Sequence, residues 1–186
     1  PHLGRAHRHV HRERGDERRR FLGEHIMSNY RIVDHDAKDA STHAAFAMPG
    51  GTVMLNREYL DADLKILTGF VEPHLFAGYS GGGKAVLPAI AGAAEIVANH
   101  DASMVGHPKA TWCTTHGNPI FEAMRDTALK TLPSFIVNVT LDEKKLITGV
   151  FAGELAAAHD AAIAQAARQA LRPIPHLYNI VVVTNM

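Results

Sequence analysis

Apolar and polar positions along this chain follow two rhythms. Short runs rich in β-branched and aromatic residues read as strands: "TVMLN", "ADLKILTGFV" (Ala62–Val71), "SFIVNVTLD" and "KLITGVFAG". "YRIVDHD" is also expected to form a short strand, and "STHAAFAM" is ambiguous between the two periods. Four segments carry helical spacing or composition: Asp16–Tyr30, "AVLPAIAGAAEIVANHD" (interrupted by Pro88 and Gly92), "NPIFEAMRDTALKTL" and the alanine-rich "ELAAAHDAAIAQAARQAL". The third opens on Asn-Pro, an N-cap residue followed by a residue suited to the first turn. "MPGG" and "LDEKK" read as turns and "RPIPHLY" as a stiff linker, with a further strand-like run, "NIVVVTN", after it. No internal repeat is visible. Strands alternating with helices predict an α/β fold, a mixed sheet with flanking helices.

Composition narrows the function classes. The 186 residues suffice for one sizeable domain, and 46% hydrophobic with 20% charged residues is ordinary for a globular protein. A formal net charge of zero argues against nucleic-acid binding. No apolar run approaches the ~18 residues of a transmembrane helix, so no membrane association is expected. The single cysteine, Cys113, forbids an internal disulfide and fits a reducing, cytoplasmic setting. Histidine is abundant, with 13 in the chain, and His2, His7, His9 and His11 crowd an arginine-rich start. That start reads as a solvated end or a metal-binding tract.

The richest chemistry lies in "EPHLFAGYSGGGKAVLP", Glu72–Pro88. Gly78, Gly83 and Lys84 have the spacing of a phosphate-cradling P-loop, except that Ala85 stands where a Mg²⁺-binding hydroxyl belongs. Gly81, Gly82 and Gly83 could let backbone N–H groups approach an anion. This supports one reading, a non-catalytic phosphate- or nucleotide-binding module. Lysine has a second use, however. Its amine can bond covalently to a cofactor or a carbonyl, and the hydroxyl is then not needed.

The block "GFVEPHLFAGYSGGGKAVLPAIAG" resembles the signature of the nickel-pincer lactate racemase family (LarA-like). "YRIVDHDAKD" upstream, and "ANHDASMVGHP", "GNPIFEAM" and "FIVNVTLDEKKLITGVFAGELAAAH" downstream, are similar to that family too. The resemblance spans residues 30–170. It implies the amino-terminal domain of a two-domain racemase, here residues 1–176 and shortened at its start. Residues 177–186 would begin a carboxyl-terminal domain that is otherwise missing, so the fragment is expected to be inactive alone. A non-catalytic relic is a further reading. The resemblance also implies a 2-hydroxy acid substrate and partner enzymes that make the cofactor. That cofactor is pyridinium-3,5-bisthiocarboxylic acid mononucleotide holding nickel, tethered to the lysine matching Lys84. Gly81, Gly82, Gly83, Tyr79 and Ser80 would lie beside it. A nickel ligand maps to His100 in "ANHD" and an acid/base histidine to His74 in "EPH". A second such histidine belongs in an "HRP"-type motif; His7 in "AHRHVHRER" matches best, with His9 and His11 as rivals.

The chemistry suits these residue types. Inverting a 2-hydroxy acid by transient oxidation needs a base on each face of a planar keto acid, and imidazole titrates near neutrality. Soft sulfur with imidazole is a sensible nickel set. Lys84 and His100 would stand about 24 Å apart in an unbroken helix, too far to share one group. A break at Pro88 or Gly92 is therefore expected, with helix only from about Ala89 and His100 at or past its end.

Overall fold

The computed structural model describes residues 17–176 and 180. His7, His9, His11 and most of the "NIVVVTN" run lie outside the described residues. The chain divides after His35 into two compact units. In the first, helix α1 covers 17–29. Arg18 pairs with Asp34.

The second unit is built on a three-stranded sheet in the order β3 (Ile66–Phe70), β6 (Phe135–Leu141), β7 (Ile147–Gly153). β3 runs parallel to β6, and β7 antiparallel to it, which makes the sheet mixed as expected. The alternation along β6 is strict: Ile136, Asn138 and Thr140 are buried while their neighbours are partly exposed. Helix α6 (Leu155–Ala170) covers that buried face with Leu155, Ala158, His159, Ala162 and Ala166. Their i, i+3, i+4, i+7, i+11 spacing is one helical stripe. On the opposite face Ile66, Phe70 and Val150 are exposed.

Helix α5 (Pro119–Lys130) begins as the Asn-Pro signature predicts. Asn118 is fully buried. Its Oδ1 accepts from the N–H groups of Ile120 and Phe121, and its Nδ2 donates to the Phe76 and Thr114 carbonyls. One side chain thus caps a helix and ties down the loop that carries His74. Leu55, Leu67, Val86, Leu87, Ile120, Met124 and Ile136 form the main core.

The ambiguous alanine-rich segment is a strand. β1 (His43–Met48) pairs antiparallel with β2 (Gly51–Asn56) through the expected turn, and helix α2 (Arg57–Asp61) follows. The strand expected at 30–36 does not form. Asp36 instead shapes a turn: its carboxylate accepts from Lys38 N–H and its carbonyl from Asp39 N–H. A local side-chain bond takes the place of a strand ladder among the described residues. No helix among the described residues is long and apolar enough to cross a membrane.

Candidate functional site

Strand β3 delivers the chain into a two-residue hairpin, β4 (Pro73–His74) with β5 (Gly78–Tyr79). Gly78 has φ +74°, and a β-carbon there would lie 2.1 Å from the Thr114 carbonyl oxygen, so only glycine fits. Ser80 is buried; its hydroxyl donates to the Phe70 carbonyl and accepts from Glu72 N–H. Tyr79 is buried beside Val71, Ala162 and Ala166, and burial pushes its phenol up. Tyr79 and Ser80 therefore point inward and fix the base of the loop.

The three glycines that follow are packed on several sides. A β-carbon on Gly81 would meet Val71 at 2.6 Å, one on Gly82 would meet the His159 ring at 2.2 Å, and one on Gly83 would meet the Met124 carbonyl at 2.5 Å. Gly82 N–H donates to the Asn138 side chain at 2.9 Å, and Lys84 N–H to the Gly81 carbonyl at 3.1 Å. These glycines let the loop press against β6, α5 and α6, and two of its N–H groups are already committed inside the protein. That weakens the nucleotide-module reading, whose support was a loop of free donors. The loop ends in a 3₁₀ turn, Gly82–Ala85, which raises Lys84 out of the packed base to a half-buried position.

The chain then turns back, as the spacing of Lys84 and His100 required. Gly92 precedes α3 (Ala93–Asn99), and His100 is the C-cap residue at its end. α4 (Ala102–Val105) starts directly afterwards, capped by Asp101.

Lys84 and His100 both lie within electrostatic reach of His74. Burial lowers the His74 pKa, and the charges of Lys84 and His100 lower it further against an opposing pull from Glu72. Burial also lowers Lys84, with Glu72 opposing. A partly desolvated lysine keeps more of its amine neutral and nucleophilic. His74 Nδ1 accepts from the N–H groups of Ala77 at 3.2 Å and Phe76 at 3.4 Å, so the neutral ring carries its proton on Nε2. His100 is the reverse case. Its Nδ1 lies 3.1 Å from the Ile96 carbonyl, an acceptor only, so Nδ1 holds the proton and Nε2 keeps its lone pair. A histidine tied through one nitrogen to a backbone carbonyl is the usual state of a metal ligand. No cluster of three or more His, Cys, Asp or Glu side chains able to hold a metal occurs among the described residues.

A groove of about 730 Å³ adjoins the His74 strand, lined in part by Glu72, Pro73, Lys144, Lys145 and Arg172; neither Lys84 nor His100 lines it. Sequence reasoning gave no role to Glu72, although its charge acts on both His74 and Lys84. It also passed over Asn138 and His159. The signal for His159 was available, a lone histidine on the apolar stripe of an alanine-rich helix.

An α/β unit that gathers one lysine amine and two imidazoles at a glycine loop defines the class of site. Comparison with known proteins supplies the family. The family described as "Lactate racemase N-terminal domain" matches residues 6–113, more than half of the chain. Lactate racemase of Lactiplantibacillus plantarum is 42% identical over 139 residues, covering 74% of this chain and 33% of that protein. Lactate racemase of Thermoanaerobacterium thermosaccharolyticum is 37% identical over 140 residues, again 74% of this chain and 33% of that one. The solved lactate racemase apoprotein from the latter organism superposes with a TM-score of 0.80 at 33% identity, over 83% of this chain and 37% of that chain. A Thermotoga maritima protein shares the fold at a TM-score of 0.60 and 21% identity, over 76% of this chain and 40% of that one. The chain belongs to the lactate racemase N-terminal domain family, and it spans about a third of the length of the curated relatives it matches.

Proposed function

We propose that this chain carries the cofactor-binding part of a racemase or epimerase acting on a small 2-hydroxy acid. The observation that supports the reading is that Lys84 and His100, on either side of a chain break, both act electrostatically on His74. The residues suit a nickel-pincer nucleotide. Lys84 would hold it covalently, and His100 Nε2 would be the protein's ligand to nickel. When bound, the group supplies a reversible hydride acceptor.

The protein's own work is to place the substrate's C2 and to manage its hydroxyl proton. Inversion requires C2 to become planar, with an imidazole to take or return that proton on either side. His74 serves one side. Its low pKa keeps it neutral near pH 7, the form a base needs. Presenting an unprotonated Nε2 requires the proton to move to Nδ1 or the ring to turn, and only two long hydrogen bonds oppose this. His7 is proposed for the other side, with His9 and His11 as rivals.

The test is chiral interconversion of lactate and related 2-hydroxy acids by the longest gene product carrying this sequence, alongside Lys84→Ala and His74→Ala. The reading expects both variants to lose interconversion. Unchanged racemisation in either would refute the role given to that residue.

A further inference from the structure

We propose that His159 is the positioning residue of the lysine loop: its Nε2–H holds the Ser80 carbonyl, and its ring is the surface on which Gly82 sits. His159 is 2% exposed, in the second turn of α6, and 79 residues from Ser80 in sequence. Its Nε2 lies 2.9 Å from the Ser80 carbonyl oxygen, which can only accept. Its Nδ1 lies 3.4 Å from an Arg125 guanidinium nitrogen, which can only donate. Opposite partners at the two nitrogens fix one tautomer, Nε2–H. The ring stacks on Phe121 at 5.7 Å, and the Arg125 guanidinium lies over the Phe121 ring at 4.6 Å while also pairing with Asp160. Ring position and tilt are thus set from α5 and α6, and the tautomer by Arg125 together with the Ser80 carbonyl.

The loop is clamped at consecutive points. His159 holds Ser80, Asn138 holds Gly82 N–H, and Gly83 lies on the α5 backbone. Lys84 follows directly, so the origin and direction of its side chain depend on these contacts. Asn138 secures the Gly82 N–H and lies beside Gly81 from the sheet side; His159 is the clamp that reaches the Ser80 carbonyl and lies against Gly82 from α6. Its role in catalysis would be indirect, through the placing of the Lys84 amine, and it rests on the reading that Lys84 is the tethering residue.

The experiment uses the apo chain and so does not depend on loading or turnover. Trace acetic anhydride labelling across pH, read by peptide mass spectrometry, gives the Lys84 titration midpoint with Lys109 and Lys130 as internal references. Hydrogen exchange gives the stability of the Gly82 amide. His159→Phe keeps an aromatic ring but removes the donor; His159→Asn keeps a donor too short to reach; His159→Gln places an N–H near the Nε2 position. Phe or Asn should speed Gly82 exchange by about tenfold and move the Lys84 midpoint up toward the ordinary lysine range. Gln should restore both. An unchanged Lys84 midpoint in a folded Phe or Asn variant overturns the proposal, as does a Gln variant that behaves like Phe. If neither donor-lacking variant folds, ¹⁵N NMR of the unmodified chain decides: the Nε2–H tautomer supports the clamp, and an Nδ1–H tautomer overturns it. Failure of the racemase reading would appear instead as unmodified Lys84 in cofactor-loaded preparations, with the labelling result intact.

Discussion

Replacing glycines one at a time with alanine separates two costs that the loop combines. Gly51 has open space around its missing β-carbon and an ordinary backbone, so Gly51→Ala should be neutral or stabilise by about 0.4–1 kcal/mol through the unfolded chain. Gly50 also has open space but φ +89°, so Gly50→Ala should cost about 1–2 kcal/mol from backbone strain alone. Gly83 has no such φ, yet its β-carbon would lie 2.5 Å from the Met124 carbonyl oxygen, a backbone atom that cannot swing aside. Gly83→Ala should cost about 1–3 kcal/mol from overpacking. Gly82 combines φ +51° with a 2.2 Å approach to a stacked, doubly hydrogen-bonded ring. The two terms together give about 2–5 kcal/mol. With a urea slope of about 2 kcal/mol per molar, that lowers the midpoint by about 1–2.5 M. Urea titrations followed by far-ultraviolet circular dichroism on the four variants measure the series. A Gly82→Ala midpoint equal to that of Gly50→Ala would refute the reasoning, because it would mean that the His159 ring yields freely.

Other outcomes follow from the same geometry. Asn118→Ala should destabilise the chain by about 2–4 kcal/mol in urea, since it removes a helix cap and leaves the Phe76 and Thr114 carbonyls without their donor. His74 and His159 both have folded pKa values below their unfolded ones, so the unfolded chain binds more protons. Their contribution is complete above pH 6.5 and is lost as pH falls through the folded values; thermal melts between pH 8 and 5 should show this slope, and His74→Gln should flatten it. Burial disfavours the charged form of Lys84, so Lys84→Met should raise the melting temperature at pH 7 while abolishing the proposed racemisation. Glu72 opposes the lowering of Lys84, so Glu72→Gln should move the Lys84 labelling midpoint further down.

Much of the fold was legible because its signals are local. The Asn118-Pro119 start of α5, the alternation of β6 and the alanine stripe of α6 each announce themselves within a few residues. The break between Lys84 and His100 was legible from their spacing once the resemblance implied that both serve one group. β1 was ambiguous because alanine favours neither period, and only pairing with β2 decides it. Residues 30–36 misled because a strand-like run forms a strand only where a neighbour accepts its hydrogen bonds. The glycine loop shows the limit most clearly. Its sequence suggested donors aimed at an anion, whereas Gly82 and Gly83 are buried against partners that arrive from far along the chain. Asn138 reaches Gly82 across 56 residues and His159 reaches Ser80 across 79, and no spacing rule links such positions. Lys84 and His74 were singled out through the resemblance, while the contacts that hold their loop were not legible.

The account stands on Lys84 being the anchor of a group that His100 completes and His74 serves. The direct measurement is mass spectrometry and metal analysis of the longest gene product carrying this sequence, co-expressed with cofactor-making enzymes. The account predicts a covalent adduct on the Lys84 peptide together with nickel, with both lost in Lys84→Ala and the nickel reduced in His100→Ala. An unmodified Lys84 in protein that still racemises 2-hydroxy acids would contradict it.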